Sequence, residues 1–575
     1  MHSKFFLINE VIATVTMVAK GGKAVTLDNV ASSNAATPLQ QQEPVANSTL
    51  SRTYIRLRPS RLAFASCNSQ NLSQPLWPII ASRRPAAFVW GGDAIYADHF
   101  DGLDLSTFPP QPVHKAATPE RLRRYYAQQL GHPEYRRLVA STVIFGTIDD
   151  HDFGANNGDR TYEHRRESNI AYVDFIGEPF DSPIRLRASL GKGVYGVKVF
   201  DFAREVGEEL VPDKDADIDP DLVGYGVESA LTDPAYSNQS VAVFVIDVRS
   251  NRTPWGRGLN SWRPSMTGDF LGEEQWAWLG EALRRSRASV NVVVTGLQVH
   301  AQRFPSHNIA EEWVNFPRSR QRLYETLLSS GVRAPLIVSG DVHMAQLLRK
   351  DCFERLPEGI ATQRPHPLME LTTSGLTHSW GTCFASSQKF HNSRYAPYYH
   401  ILSRVSMTLS HLICPWSELV VAAAETDDDG GTGQFESGGA EGAKTGKQYS
   451  LELNFGELEF DWDEETLKVR VIGVEGADEP LLSAQWSFNQ LSGIKGMPGS
   501  KIRESDIATS EAELRSDDSW ICVSQGGTVH PVHYFMATLA SSALLFSFIL
   551  LPYLAPFALA YCHFKRKSAR TSTSP

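Results

Sequence analysis

Short apolar runs recur along the chain from residue 57 onwards, and each ends in small or polar residues. The runs are rich in Val, Ile, Phe and Ala and lack polar alternation, which is typical of strands covered on both faces. The predicted strands are 61–68, 86–93, 240–250, 290–300 and 333–343, and the mostly apolar run 138–145 has the same character.

Between these runs, apolar residues recur at helical spacing. One predicted helix starts at Thr118 with a proline in its first turn, a second starts at Gly272, and a third runs from Arg318 to a closing glycine. This alternation of strands and helices predicts an α/β domain. Residues 449–476 alternate apolar and polar positions instead, as an antiparallel hairpin or meander does, and they close the folded body near residue 490.

Composition divides the chain into further predicted regions. Acidic and Gly-rich stretches inside the folded domain have the character of surface insertions, and the first residues hold only a weak signal sequence and a disordered segment. The predicted regions are a leader (1–56), the folded domain (57–490) with insertions at 204–236 and 425–447, a stalk (491–533), a transmembrane helix (534–564) and a basic cytoplasmic tail (565–575).

The apolar stretch 534–564 contains no Lys, Arg, Asp or Glu, and it is long enough to cross a bilayer. Basic residues follow it at once, so the positive-inside rule predicts a single-pass membrane protein whose folded domain is extracellular or lumenal. The alternative, a tail anchor with a cytosolic body, would place the basic tail in the lumen. Sequons at Asn47, Asn71, Asn238 and Asn251 fit a glycosylated domain outside the cytosol.

The formal net charge is -10 and the basic residues are scattered, which gives no reason to expect a nucleic-acid partner. The six cysteines form no CxxC pair, which argues against a zinc ribbon or a thioredoxin-like site. The four cysteines from Cys352 to Cys522 could form disulfides, with open pairing.

Polar side chains that can bind metals follow the predicted strands. Cys67, Asp93 and the stretch GTIDDHDFGANN (146–157) follow three of them, and Asp341 and His343 follow another in SGDVH. Ligands bind at the carboxyl ends of strands in α/β sheets, so we expect these groups to converge. Thiolate, carboxylate, amide and imidazole groups together make a mixed set of metal ligands. Cys67 has a structural alternative as a small buried apolar residue.

Five motifs in order, FASCN, WGGDAIYAD, DDHDFGANN, SGDVH and LTTSGLTHSW, resemble those of the PhoD-like (alkaline phosphatase D) family of calcineurin-like metallophosphoesterases. The resemblance covers roughly residues 60 to 475. It implies a four-layer αββα sandwich and hydrolysis of phosphoric monoesters or diesters at a multinuclear metal centre. It also implies iron with calcium as the metals, and other divalent metals remain open.

The resemblance assigns roles to individual residues. Cys67 is similar to the family's cysteine ligand of ferric iron, Asp93 to the carboxylate that bridges metals, and Asn156 to the asparagine that binds metal and phosphate. The remaining assignments are Asp341 and His343 as metal ligands, Asp150 and His151 as the pair for phosphate and leaving group, and His378 as a residue that lines the substrate site.

One departure from the family concerns a tyrosine ligand of iron. The equivalent position falls near Gln129 and Leu130, and neither is a tyrosine. Nearby candidates are Tyr125, Tyr126, Tyr135 and Tyr96. The identity of the first metal therefore stays open.

The ligands imply a mechanism in which metal ions hold the phosphate and acidify the attacking water. Arg249 and Arg252 could clamp the phosphate, and His151 is the candidate that protonates the leaving alkoxide. His300, at the end of another strand, could add a ligand.

Three functional hypotheses follow. The first is a membrane-anchored phosphatase or phosphodiesterase. The second is a catalytically degenerate PhoD-like membrane protein that binds or adheres. The third is a diesterase that acts on lipid headgroups.

Overall fold

A computed structural model describes the parts of the chain that position the site. The described residues are 60–104, 111–203, 237–256, 260–261, 263–302, 310–356, 359–360, 365–382, 396–413, 449–496 and 518–524, with a few isolated positions.

Strands and helices are numbered along the chain within the described residues. The strands are β1 (Arg61–Ala65), β2 (Ala87–Gly91), β3 (His99–Asp104), β4 (Gln111–Lys115), β5 (Val143–Thr147), β6 (Gly196–Asp201), β7 (Ser240–Ile246), β8 (Val290–Thr295), β9 (Pro335–Ser339), β10 (Ala345–Leu356), β11 (Gly359–Ile360), β12 (His366–Thr373), β13 (Tyr449–Ser450), β14 (Phe455–Asp461), β15 (Thr466–Ile472), β16 (Leu482–Ser487) and β17 (Trp520–Ser524). The helices are α1 (Trp77–Arg83), α2 (Pro119–Leu130), α3 (Pro133–Val139), α4 (Asp150–Phe153), α5 (Arg165–Phe175), α6 (Pro183–Ser189), α7 (Gly272–Arg285), α8 (Pro317–Ser329), α9 (Ala396–Ile413) and α10 (Phe488–Leu491).

The described strands form two large sheets and a hairpin. Sheet I has the order β16-β15-β14-β1-β2-β5, and sheet II has the order β11-β10-β12-β9-β8-β7-β6. In sheet I, β1, β2 and β5 are parallel, whereas β14 to β16 form the antiparallel meander. In sheet II, β7, β8, β9 and β12 are parallel. Strands β3 and β4 pair with each other.

Side-chain alternation along β7 shows how the layers stack. Val241, Val243 and Val245 belong to the core shared with sheet I, and Ala242, Phe244 and Ile246 belong to a second core with α7 and α8. On the outer side of sheet I, Trp77 of α1 packs its ring 5.6 Å from that of Trp90. The body is therefore a mixed α/β fold of four layers, with the two sheets inside and helices on both outer faces.

Strand β10 lies along the border of sheet II and pairs with several partners. Its first residues pair with β13, its middle pairs with β17, and its last residues pair with β11, all antiparallel. A disulfide between Cys352 of β10 and Cys522 of β17 links segments that are 170 residues apart in sequence. This fixes one pairing that the sequence left open.

Most of the strongly patterned elements lie where the sequence predicts them. The parallel strands β1, β2, β7, β8 and β9 begin within two residues of the predicted starts. Helices α2, α7 and α8 coincide with the three helical patterns, and proline occupies the first turn of α2 and α8. In these elements the apolar periodicity of the sequence agrees with the backbone geometry, so the local sequence pattern is sufficient to predict them.

The predicted C-terminal transmembrane helix needs correction. Among the described residues, no helix is long and apolar enough to cross a membrane. A single-pass membrane localisation is therefore not supported. Nearly all of the predicted span 534–564, with the tail 565–575, lies outside the described residues, as do the leader 1–56 and the two insertions 204–236 and 425–447.

The predicted stalk also needs correction, because part of it belongs to the body. Residues 518–524 contain β17, which pairs with β10 in sheet II. Ile521 and Val523 are buried, with Phe353 and Ile507, in a small apolar cluster. The folded body therefore extends beyond residue 490, since a distant strand completes the border of the sheet.

Candidate metal centre

The carboxyl ends of the parallel strands of both sheets meet in one place. Cys67 follows β1, Asp93 follows β2, and Asp149 to His151 follow β5. From sheet II, Asp341 and His343 follow β9, while Ser374 and His378 follow β12. The two sheets thus bring together most of the polar groups that the sequence places at strand ends.

Four of these residues share an uncommon backbone conformation. Cys67, Asp93, Asp341 and His343 have φ values of 59°, 52°, 67° and 52°. Left-handed conformations of residues other than glycine cost on the order of 1 kcal/mol or more, and they concentrate at functional sites. Backbone strain therefore falls on the predicted ligands.

Ser374 connects the two sheets beneath the site. Its Oγ lies 3.0 Å from the Sγ of Cys67 and accepts a 2.8 Å hydrogen bond from the backbone N–H of His343. Cys67 Sγ also lies 3.7 Å from Oδ2 of Asp93. Burial, with the nearby Asp93 and Asp341 carboxylates, raises the pKa of the Cys67 thiol well above its usual range. A cation would be needed to hold it as a thiolate.

The stretch after β5 folds into the short helix α4. The side chain of Asp152 accepts hydrogen bonds from the backbone N–H groups of Asp149 (2.7 Å) and Ala94 (3.0 Å), so it ties the ends of β5 and β2 together. Gly154 ends the helix at a φ of 97°, a value that favours glycine. The small polar residues of this stretch therefore serve two purposes: Asp152 stabilises the turn, and the residues beside it face the site.

His151 is held by a carboxylate. Its Nδ1 donates to Oδ1 of Asp98 at 2.7 Å, and its ring lies against Tyr96 with centroids 4.1 Å apart. The other oxygen of Asp98 lies 2.7 Å from Nδ1 of His114 on β4. Burial opposes charge on His151, but Asp150, Asp98 and Asp93 outweigh it and raise the pKa of His151 well above its usual range. Asp98 thereby fixes the position of the His151 ring.

Arg249 is fully buried, and its guanidinium pairs with carboxylates of the protein. Its Nε donates to Oδ1 of Asp149 at 2.5 Å, and its Nη1 donates to Oε2 of Glu311 at 2.6 Å. Its Nη2 has no hydrogen-bond partner among the residues that the structure describes, and it lies 3.9 Å from Oδ1 of Asp150. One nitrogen of this guanidinium therefore remains for a further acceptor, and the other two position carboxylates.

Arg252 shapes the neighbouring turn. Its Nη2 donates to the carbonyls of Asn157 (2.5 Å) and Gly158 (2.9 Å), and its guanidinium lies over the ring of Trp255. Asn156 lies half-buried in this turn. Arg252 thereby supports the segment that carries Asn156, and its Nη2 also lies 3.5 Å from Oε1 of Glu311.

A phenol lies between the two sheets at the site. The Oη of Tyr96 is 3.0 Å from Nε2 of His343, 3.0 Å from Nε2 of His378 and 3.4 Å from Oδ2 of Asp93. The other ring nitrogen of His378 contacts Oγ1 of Thr377 at 3.0 Å. His378 is fully buried and touches the cluster through Tyr96.

The donor groups fit metal ions. Among the described residues, donor atoms of Asp93, Asp150 and His151 lie within 4.8 Å of one another, and so do those of Asp149, Asp150 and Asp341. Burial raises the pKa of Asp93 and Asp341 well above the usual range, and it raises that of Asp149 to about 7 although Arg249 opposes the shift. Within the described part of the chain, Oδ2 of Asp149 and Oδ1 of Asp150 are buried and find no hydrogen-bond partner. Cations would satisfy these carboxylates.

His300 does not join the cluster. It is fully buried, with Nδ1 3.1 Å from the hydroxyl of Tyr324 and Nε2 donating to the carbonyl of Leu368 at 2.9 Å. Burial lowers the pKa of His300 well below its usual range. The suggestion that this residue adds a metal ligand is therefore wrong: its nitrogens bind protein groups in the core beside α8.

Several groups at the site had no role in the prediction. Contacts between segments that are distant in sequence bring in Asp98, His114, Glu311 and Ser374. In the sequence analysis, Asp149 and Asp152 had no roles distinct from those of the other residues in their motif. Asp98 lies inside WGGDAIYAD and Ser374 inside LTTSG, so the motifs contained the signal without showing which member touches what. Glu311 lies more than 60 residues from Arg249 in the chain, and sequence alone offered no signal for that pair.

Comparison with known proteins identifies one protein family whose model matches part of this chain. The family model described as PhoD-like phosphatase matches residues 238–402, which include Arg249, Asp341, His343 and His378. No curated protein matches the chain. A solved structure described as the structure of PhoD aligns with 77% of this chain and 72% of its own length, at 15% identity and a TM-score of 0.44. The family match confirms the predicted resemblance.

Proposed function

We propose that this chain, which carries a PhoD-like phosphatase domain and so is a phosphoesterase hydrolase at the level of its family, hydrolyses phosphoric monoesters or diesters at the strand-end cluster. One observation carries the proposal: thiol, carboxylate and imidazole groups from three strand ends of sheet I meet around Asp93. Asp341 of sheet II joins Asp149 and Asp150 beside them. Shared left-handed backbone at Cys67, Asp93, Asp341 and His343 supports the same conclusion.

The donor set divides by chemistry, and this supports iron together with calcium. On one side, Cys67 and Asp93 offer sulfur and oxygen 3.7 Å apart, a set that suits iron and does not suit calcium. His343 would add an imidazole nitrogen, which lies 3.0 Å from the hydroxyl of Tyr96. On the other side, Asp149, Asp150 and Asp341 offer oxygens alone, which suit calcium or another hard divalent cation. Asn156, in the turn after α4, would add an amide oxygen to the metal or to the phosphate. When bound, the ions supply Lewis acidity towards the phosphate and acidify water.

The protein groups orient the ester and handle the proton. Arg249 Nη2 is the donor available to a phosphate oxygen, since its other nitrogens hold Asp149 and Glu311. Arg252 contributes by fixing the turn that bears Asn156, and the predicted bidentate clamp is thereby reduced to one open nitrogen of Arg249. His378 lies behind Tyr96 and positions it.

His151 is the general acid in this proposal. It lies at the rim of the cluster, its backbone N–H donates to Oδ1 of Asp93 at 3.1 Å, and Asp98 fixes its ring. A protonated imidazole beside the metal ligands can deliver a proton to the leaving alkoxide. Asp150 accepts the backbone N–H of Asn157 at 2.7 Å and keeps the turn close to His151.

Hydrolysis and metal content test the proposal together. Purified full-length protein, loaded with iron and calcium, should hydrolyse an aryl phosphate monoester or diester, and a chelator should abolish turnover. The matched control is Asp93→Asn, which removes the carboxylate at the centre and should lose both metal and activity. Protein that binds the ions yet hydrolyses neither ester would support the binding-protein alternative instead.

A further inference from the structure

The segment 374–380, which follows β12, lies between the two strand ends that carry Cys67 and His343. It ends at Trp380, which is fully buried. The backbone at Cys67 and at His343 is left-handed, with φ values of 59° and 52°. Such conformations persist only where the surrounding contacts hold them. Segment 374–380 supplies contacts of this kind at both turns.

At the His343 end, the segment holds the peptide group between Val342 and His343 from both sides. The carbonyl of Val342 accepts a 2.9 Å hydrogen bond from Nε1–H of Trp380, and the backbone N–H of His343 donates to Oγ of Ser374 at 2.8 Å. The backbone N–H of Trp380 donates to the carbonyl of His343 at 3.1 Å. Three successive polar backbone groups of the turn are thus bound by one segment, and Trp380 supplies two of the three donors.

At the Cys67 end, the same segment holds the turn after β1. The carbonyl of Ser66 accepts hydrogen bonds of 3.3 and 3.2 Å from the backbone N–H groups of 375–376. The Oγ1 of Thr377 accepts the backbone N–H of Ser69 at 2.8 Å and lies 3.4 Å from the carbonyl oxygen of Cys67. The segment therefore joins the carboxyl end of β1 in sheet I to that of β9 in sheet II.

Contacts on its other side hold Trp380 itself. The carbonyl of Trp380 accepts a 2.9 Å hydrogen bond from Oγ of Ser403 on α9, and the carbonyl of Gly381 accepts one of 3.1 Å from Arg404 of the same helix. The backbone N–H of Gly381 donates to the carbonyl of Leu451 at 2.6 Å. Trp380 therefore connects α9 to the turn that carries His343.

We propose that Trp380 and Thr377 are positioning residues of the candidate metal centre, which hold the turns of His343 and Cys67 at a fixed separation and so set how tightly the centre retains metal. The inference rests on the proposed metal centre. Both side chains act through the backbone of the turns and not as ligands. A buried carbonyl that loses its donor is costly to leave unsatisfied, so the turn would relax away from its left-handed conformation. Partners of this kind contribute about 10–100-fold to metal affinity.

Metal retention by the full-length protein tests the assignment without reference to catalysis. Protein loaded with iron and calcium is equilibrated with increasing concentrations of EDTA, and the metal that stays bound is measured after gel filtration. Trp380→Phe keeps an aromatic ring but lacks the N–H that the carbonyl of Val342 accepts. It should release metal at EDTA concentrations about 10–100-fold lower than the wild type does.

Trp77→Phe is the matched control. Trp77 is also fully buried, and its Nε1–H donates to the side chain of Gln74 on the outer side of sheet I. Both substitutions should lower the free energy of unfolding of the metal-free protein, whereas only Trp380→Phe should lower metal retention. A merely structural role of Trp380 would leave the two variants with equal metal retention, and this result would overturn the proposal.

A second variant, Thr377→Val, keeps the test decisive if Trp380→Phe fails to fold. It removes the hydroxyl that accepts the backbone N–H of Ser69 and changes little else of the side chain's shape. Because it frees the Cys67 end of the segment, it should also lower metal retention. Wild-type retention in folded Thr377→Val would overturn the proposal.

These outcomes are distinct from those for the proposed function. Wild-type protein that retains metal, loses it in both variants and hydrolyses no ester would overturn the proposed function alone. Ester hydrolysis by the wild type, together with unchanged metal retention in the variants, would overturn the positioning role alone. Wild-type protein that retains neither ion would overturn both.

Discussion

The ends of β8 and β9 are neighbours in sheet II with similar sequences but different chemistry. The first strand continues as TGLQVH to His300 and the second as SGDVH to His343. His343 turns through a left-handed backbone into the cluster beside Tyr96. His300 enters the core between Tyr324 and Leu368. The β8 end has one more residue between glycine and histidine, and the two rings meet opposite environments.

The difference lies in the backbone, which turns His343 towards the other polar groups of the cluster and His300 away from them. At the β9 end, Asp341 and His343 both have positive φ, and Ser374 holds the backbone N–H of His343. At the β8 end, the backbone N–H of His300 donates to Glu370 at 2.7 Å, and the ring serves packing. The contrast yields a series of expected effects.

The largest effect is expected at the β9 end. His343→Ala should lose bound metal and lower kcat/KM by more than about 100-fold, beyond the range usual for partners outside the ligand shell. Metal analysis and hydrolysis of an aryl phosphate measure both. Retention of full metal content and activity would remove His343 from the centre.

A smaller effect is expected at His151, a histidine whose partner is a carboxylate. Asp98→Asn should lower turnover of alkyl phosphates by about 10–100-fold, because His151, the proposed proton donor, loses the carboxylate that positions it. Aryl phosphates with good leaving groups need little protonation and should change least. Plots of rate against leaving-group pKa for both proteins measure this. Equal losses for all leaving groups would indicate a merely structural role of Asp98.

At the β8 end, stability should change instead of catalysis. His300→Ala leaves the carbonyl of Leu368 without its donor and opens a cavity, at a cost of about 2–4 kcal/mol in the free energy of unfolding. Thermal or denaturant unfolding measures this loss, and the metal content should equal that of the wild type. Loss of metal from folded His300→Ala would contradict the conclusion that His300 lies outside the candidate metal centre.

The two regions should also respond oppositely to pH in metal-free protein. Burial lowers the pKa of His300, so the unfolded chain takes up the proton first and stability falls as pH drops below about 6.5. Asp149 has its pKa raised to about 7, so its contribution to stability is present at low pH and is lost as pH rises from about 4 to 7.

Unfolding midpoints across this pH range should separate the two groups. His300→Phe should flatten the loss on the acid side, and Asp149→Asn should flatten the loss towards neutral pH. Saturating calcium should also remove the second slope, because the cation takes the place of the proton. A calcium-independent slope would show that Asp149 faces no cation.

The predictable part of the molecule is the part whose signal is local. Apolar runs fix the strands of both sheets, and polar residues just beyond them identify Cys67, Asp93, Asp341 and His343 as neighbours. Contacts between residues that are distant in sequence could not be predicted from the sequence. Glu311 meets Arg249 from a distant loop, and Asp98 meets His114 through a hairpin. The stalk prediction failed because β17 is too short to stand out before its partner is known.

The placement of β17 has a consequence for the behaviour of the protein in concentrated solution. Strand β10 would otherwise offer unpaired N–H and C=O groups to any passing chain, and β17, tied by Cys352 and Cys522, covers residues 350–354 of it. Exposed strand borders are templates for edge-to-edge association. The disulfide thus protects the protein from self-association. A reductant should cause aggregation at a lower concentration than is needed to disrupt the candidate metal centre.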